Sequence, residues 1–158
     1  MTDKHTLLIT VANRVGVLAR IAGLLSSRGY NIESIIGWRT ENPDIYQIHL
    51  VTFGTRQQIE QISKQIQKLI DTIKVVNISH KKGYWIYEFA LVKVQARKGR
   101  PEILDLVNVF GAKVVDITQA FVIIDLSGPT QKIDRFLDLM KPFGIREYIR
   151  SGHIAISA

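Results

Sequence analysis

The stretch TLLITVANRVGVLARIAGLLSSRG, residues 6–29, decides the fold of this chain. Its opening, within His5 to Val11, is rich in β-branched and aliphatic residues and reads as a strand, closed by the turn Ala12-Asn13-Arg14-Val15-Gly16. From Val17 to Arg28 the period changes. Val17, Leu18, Ile21, Leu24 and Leu25 recur as one face of a 3.6-residue helix, and Gly29 suits the position after its last turn. A strand handed directly to a helix through a glycine turn is the start of a β-α-β arrangement.

Working outward, Asn31 to Arg39 and Ile45 to Phe53 read as two strands of a hairpin, joined by Thr40-Glu41-Asn42-Pro43-Asp44. Thr55 with Gln58 forms a capping-box signature. It precedes a second amphipathic helix marked by Ile59, Ile62, Ile66, Leu69 and Ile70, and Ile73 to His80 returns as a strand. After Lys81-Lys82-Gly83 the order repeats: a strand from Trp85 to Ala96, a helix opened by Pro101 and stopped by Gly111, strands over Lys113 to Thr118 and Phe121 to Leu126, a helix over Pro129 to Lys141, and a strand over Ile145 to Ile149. The expected fold class is therefore α+β, two successive ferredoxin-like βαββαβ domains covering residues 1–80 and 81–158. In each, two helices cover one face of an antiparallel sheet and leave the other open, which favours a homodimer or higher assembly.

Composition narrows the function. The chain has 158 residues, 46% of them hydrophobic, and no cysteine, so thiolate nucleophiles, disulfides and cysteine-held metals are excluded. His5, His49, His80 and His153 form no metal-binding spacing, and no metal site is expected. The polar segment Met1 to Thr6 has no signal or transit character and no apolar run reaches membrane-spanning length, so a cytoplasmic protein without membrane contact is expected. The net charge of +7 is diffuse: residues 1–80 carry nine basic against six acidic side chains and residues 81–158 twelve against eight.

The segment with chemical potential is Asn13-Arg14-Val15-Gly16-Val17-Leu18. A helix's first turn has unpaired N–H groups and a positive dipole end, and Gly16 permits close approach, so a small carboxylate fits there. Asn13 and Asn31 can supply side-chain amides. Asn13 and Gly16 can equally be turn and cap residues, and Val17 and Leu18 can equally be core.

The motif Asn-x-x-Gly-Val-Leu-Ala-Arg-x-Ala-Gly-Leu, followed by Arg28-Gly29-Tyr30-Asn31-Ile32-Glu33-Ser34, resembles the opening of the small subunits of acetohydroxyacid synthase (acetolactate synthase), which begin with an ACT domain. The resemblance continues through Asn42-Pro43, Glu88 to Val94, Ala112 to Asp116, Gly128-x-x-x-Lys132-Ile133-Asp134, Pro142 to Glu147 and Arg150 to Ser157. It implies a non-catalytic regulatory subunit that activates a large catalytic subunit and confers feedback inhibition by a branched-chain amino acid, typically valine, in valine, leucine and isoleucine biosynthesis. It further implies an effector site of Asn13, Val15, Gly16, Val17, Leu18, Asn31 and Ile32 at an interface between ACT domains. Thiamine diphosphate, magnesium and FAD would belong to the catalytic partner, with no cofactor in this chain. The chain departs from the family pattern at Ala12, Gln47-Ile48 and Gly111, and Arg14 and Val15 make the effector loop more basic and apolar than is common, which bears on effector affinity and choice.

Three other readings fit the sequence less well. As an enzyme the chain lacks a nucleophile elbow and a phosphate loop, and Glu33, Glu88, Asp116 and Asp125 read better as strand ends or solvated faces than as paired catalytic carboxylates. An RNA-binding module shares the four-stranded topology, but its aromatic signature strand is missing and Tyr84, Trp85, Tyr87 and Phe89 read better as contact surface, so no nucleic acid is expected. A free-standing amino-acid sensor would suit the first half but not the second.

Overall fold

A computed structural model describes residues 2–158, so Met1 of the polar N-terminal segment lies outside the described residues. The chain divides into two compact units, one of residues 1–85 with 152–158 and one of 86–151.

The first unit contains β1 (Asp3–Ala12), α1 (Val17–Ser27), β2 (Ile32–Arg39), β3 (Ile45–Gly54), α2 (Arg56–Gln67) and β4 (Thr72–Asn77). Its sheet has the order β2-β3-β1-β4, with β1 antiparallel to both β3 and β4. Leu7, Ile9 and Val11 of β1 and Ile48 and Leu50 of β3 face Val17, Ile21 and Leu25 of α1 and Ile59, Ile62 and Ile66 of α2, forming a closed apolar core. Both periods expected from the sequence, two along the strands and 3.6 along the helices, meet in this layer. The capping box at α2 is present: the Thr55 hydroxyl accepts from the Gln58 N–H, and the Gln58 side chain accepts from the Thr55 N–H at 2.8 Å.

The second unit continues β5 (Tyr84–Gln95), which begins in the first, through α3 (Arg100–Val109), β6 (Lys113–Ile117), β7 (Phe121–Gly128), α4 (Thr130–Met140), a single 3-10 turn at Lys141–Phe143 and β8 (Ile145–Arg150). Its strand order, β6-β7-β5-β8, repeats the first. Ala90, Val92 and Val94 pack with Ile124, Leu126, Ile103, Ile133 and Phe136. Glu88, almost fully buried, accepts from Arg150 and from the Thr130 hydroxyl, while Arg150 also reaches Asp134 at 2.6 Å.

Two features differ from the sequence expectation. The expected boundary lay between residues 80 and 81, whereas the compact units part between Trp85 and Ile86, because β5 starts before the second core does. A further strand, β9 (Ile154–Ser157), pairs with β5, and residues 152–158 belong to the first unit, where the expected assignment left them with the second domain. Four residues with apolar groups only at Ile154, Ala155 and Ile156 carry too short a pattern to announce themselves as a strand.

Candidate functional site: the loop between strand and helix

Gly16 stands immediately before α1 at φ +82°, a left-handed conformation that costs a side-chain-bearing residue roughly 1–2 kcal/mol. No side chain caps the helix here, so the first-turn N–H groups of Leu18 and Ala19, which have no acceptor within the helix, face outward. The loop before it is pinned at three points. The Ala12 N–H donates to the Asp71 carbonyl at 2.8 Å, the Asn13 N–H to the Asp44 carbonyl at 2.8 Å, and the Asn13 side-chain amide to the Pro43 carbonyl at 2.8 Å. Asn13 therefore ties the loop to the β2–β3 turn with one N–H of its side-chain amide.

Asn13, Arg14, Gly16, Val17, Leu18 and Ala19 line an open cleft together with Arg39 and Tyr46, which are cross-strand partners at the end of the hairpin. Val17 is buried in the core and contributes only the mouth-facing part of its surface, while Leu18 is 38% exposed. The cleft is cationic. Beside it Asp71, with a side chain only 3% exposed, pairs with Arg20 and more distantly with Arg14, Nη1 to Oδ1 3.6 Å. Two guanidinium groups against one carboxylate, with Arg39 opposite, leave a positive surplus around a helix N-terminus, the electrostatics an anionic group seeks. The apolar flank of Val17 and Leu18 gives the cleft a place for an aliphatic side chain.

Of the expected site residues, the fold brings Asn13, Gly16, Val17 and Leu18 together. Val15 is fully exposed and does not line the cleft. Asn31 and Ile32 follow the C-terminal end of α1, so the eleven-residue helix sets them about 16 Å along its axis from Gly16. The Asn31 carbonyl accepts from the Thr52 hydroxyl at 2.6 Å, and Ile32 packs against the core. Within one chain these two residues do not complete the cleft.

Sequence reading missed Arg20, Asp71, Arg39 and Tyr46. One local signal was available: Gly37 interrupts a strand, and a Cβ there would overlap the Tyr46 ring, its hydroxyl oxygen at 2.7 Å. Asp71 gave none, since only folding sets it beside Arg20. Among the candidate carboxylates, Glu88 accepts from Arg150 and Thr130, and the Asp116 side chain accepts from the Ile117 N–H. Among the described residues no group of three or more histidine, aspartate or glutamate side chains is placed to hold a metal, and no helix is long and apolar enough to cross a membrane.

A βαββαβ unit with a glycine turn ahead of its first helix is the architecture of ACT-type regulatory modules. Residues 7–74 match the model of the acetohydroxyacid synthase small subunit-like ACT domain, and residues 87–158 match the model of the small subunit of acetolactate synthase. A probable acetolactate synthase small subunit of Archaeoglobus fulgidus is 41% identical over 154 residues, 97% of this chain and 96% of that protein. The acetolactate synthase small subunit of Mycolicibacterium smegmatis is 38% identical over 157 residues, 99% of this chain and 92% of its own. The crystal structure of the acetolactate synthase small subunit from Thermotoga maritima superposes with a TM-score of 0.88 at 30% identity, covering 99% of this chain and 98% of that one. This chain belongs to the family of acetolactate synthase small subunits.

Proposed function

We propose that this small subunit raises the activity of a large catalytic acetolactate synthase subunit and makes it sensitive to a branched-chain amino acid, valine foremost, bound at the cleft before α1. The observation that carries the reading is the left-handed Gly16 turn, which opens first-turn N–H groups into a cationic cleft with an aliphatic flank. The effector's carboxylate lies against the N–H groups of Leu18 and Ala19 and the surplus charge of Arg14 and Arg39. Its side chain rests on Val17 and Leu18.

Asn31 and Ile32 stand too far from Gly16 to serve the same cleft, and they enter from a second copy. A homodimer in which the loop of one protomer faces the β2 start of the other supplies both amide groups, and it covers the otherwise exposed Val15. The amino acid then acts by its differential affinity for two arrangements of the paired ACT domains. Thiamine diphosphate, magnesium and FAD serve the chemistry in the catalytic partner, and the assembly works in the cytoplasm.

The test mixes the protein with a cognate catalytic subunit and titrates valine, leucine and isoleucine. Activation by the wild type is expected, with inhibition by one of the three. Asn13→Ala and Gly16→Asp are expected to keep activation while raising the half-inhibiting concentration roughly ten- to a hundredfold, the range for losing charge-assisted hydrogen bonds. Absence of activation would remove the partner reading; unchanged sensitivity of both variants would remove the site.

A further inference from the structure

The helical face of the first unit carries a charge arrangement that its own fold leaves unused. Arg28 and Tyr30, just past α1, meet Gln61, Lys64, Gln65 and Lys68, along and just past α2, in one groove whose lining holds three cations and no acidic residue. Arg28 leans across it, its Nη2 donating to Gln65 Oε1 at 3.3 Å. The Tyr30 hydroxyl donates to the Gln58 carbonyl at 3.0 Å and ties this end of α1 to α2. Among the described residues Arg28, Lys64 and Lys68 make no ion pair. The one carboxylate of α2, Glu60, sits with Arg56, Oε1 to Nε 3.2 Å.

A cation near a helix C-terminus is ordinary, since it meets the negative end of the dipole. That accounts for Arg28 or Lys68 taken singly. It does not account for Lys64 and Lys68 standing four residues apart, a spacing at which like charges repel, nor for Arg28 being held against α2 in the same groove. Helix α1 adds a second irregularity. Gly23 stands mid-helix on its exposed side, where glycine is a poorer helix former than any residue but proline, and a Cβ there would meet nothing within 4 Å. Packing within the chain therefore does not ask for the glycine. With Ser26 and Ser27, also exposed, it leaves the outer surface of α1 low enough for another backbone to approach closely.

We propose that the α1–α2 face of the first unit is where the large catalytic subunit docks, with an acidic segment of that subunit seated against Arg28, Lys64 and Lys68 and passing over Gly23. The identity of the partner rests on the function proposed above. Three clustered cations without counter-charge call for carboxylates, and complementary charge sets both the rate of encounter and the register of docking. A protein suits the face better than a nucleic acid. Tyr30, the one aromatic in the lining, is partly buried with its hydroxyl bonded to Gln58, so the groove offers no platform for stacked bases. The groove lies at the opposite end of α1 from Gly16, so docking there leaves the effector cleft accessible.

Titration of a cognate catalytic subunit with the full chain tests this with Lys64→Glu and Gly23→Ala, both chosen to firm the free protein. Glutamate at position 64 makes a favourable pair with Lys68 one turn on, and alanine at position 23 favours the helix. Urea unfolding of the free variants is therefore expected to match or exceed that of the wild type. The half-activating concentration is expected to rise roughly tenfold for Lys64→Glu, with most of the difference lost at about 0.5 M salt, and several-fold for Gly23→Ala. Lys64→Arg, which keeps the charge, is expected to stay within about twofold of the wild type. Half-inhibition by the amino acid, measured at saturating small subunit, is expected to be unchanged in all three. Wild-type half-activating concentrations for both Lys64→Glu and Gly23→Ala overturn the docking face and leave the proposed function standing. A wild type that neither binds nor activates the catalytic subunit overturns the partner reading, and the docking with it. Retention of the free protein on single-stranded RNA, lost in Lys64→Glu while activation is untouched, assigns the groove to a nucleic acid and overturns the proposal.

Discussion

Asp71 is the point from which the cleft is held, and replacing it tests that claim in isolation. Its carboxylate is 3% exposed and carries two cations, while its carbonyl fixes the Ala12 N–H. Breaking a buried ion pair from one side costs roughly 3–5 kcal/mol because the other charge is stranded. Here the guanidiniums are not stranded: the Arg20 side chain is 42% exposed and that of Arg14 71%, so water takes over much of their solvation. Discounted on that ground, Asp71→Asn should cost about 1–2 kcal/mol and Asp71→Ala, which also leaves a cavity, about 2–3 kcal/mol. Both tryptophans, Trp38 and Trp85, lie in the first unit, so urea unfolding followed by their fluorescence reads that unit. The pair is confirmed by a cycle with Arg20→Met, in which the double variant should be less destabilised than the two singles added together. A loss below about 0.5 kcal/mol for Asp71→Asn, or strict additivity with Arg20→Met, would refute the argument that Asp71 organises the loop.

Other consequences follow from individual contacts. Burial, reinforced by the charge of nearby His153, pushes the His49 pKa down from 6.5 to about 4. The unfolded chain therefore gains a proton between these values that the folded chain refuses: stability is unaffected above pH 7, falls as pH drops below 6.5, and levels off below 4, with a total of at most about 3 kcal/mol. His49→Phe should flatten that part of the pH profile of the urea midpoint, and an equally steep profile in the variant would assign the dependence elsewhere. In the second unit, Glu88→Gln leaves the partly exposed Arg150 with Asp134 alone and should cost about 2–3 kcal/mol, read as lost amide protection in β5 and β7 with α2 unaffected. Gly37→Ala should drive the Tyr46 ring toward the cleft, weakening effector binding measured by calorimetry more than it weakens the fold. Restored binding in Gly37→Ala with Tyr46→Ala would tie the effect to the ring.

Most of the architecture was legible because its determinants are local. Alternation in β1, the apolar stripe of α1 from Val17 to Leu25 and the Thr55–Gln58 box each lie within a dozen residues, and each states its own secondary structure. The repeat of that grammar after Gly83 announced a second βαββαβ unit. The motif around Asn13 and Gly16 was legible for the same reason, as a strand end and a helix start are adjacent in the chain.

What the sequence could not state is which distant residues finish the site and the sheet. Asp71 reaches Arg20 across fifty-one positions and His153 reaches Thr6 across one hundred and forty-seven. Neither pairing leaves a periodic trace. The separation of Asn31 from Gly16 was likewise hidden, since a helix's sequence tells that it forms but not which neighbours meet its two ends. Local backbone preference and hydrophobic period are properties of short windows, so the sequence by itself determined the elements and their order. The charge cluster beside the cleft, the burial of His49 and the course of residues 152–158 arise only when the sheet closes, because side-chain contact and desolvation belong to the packed chain.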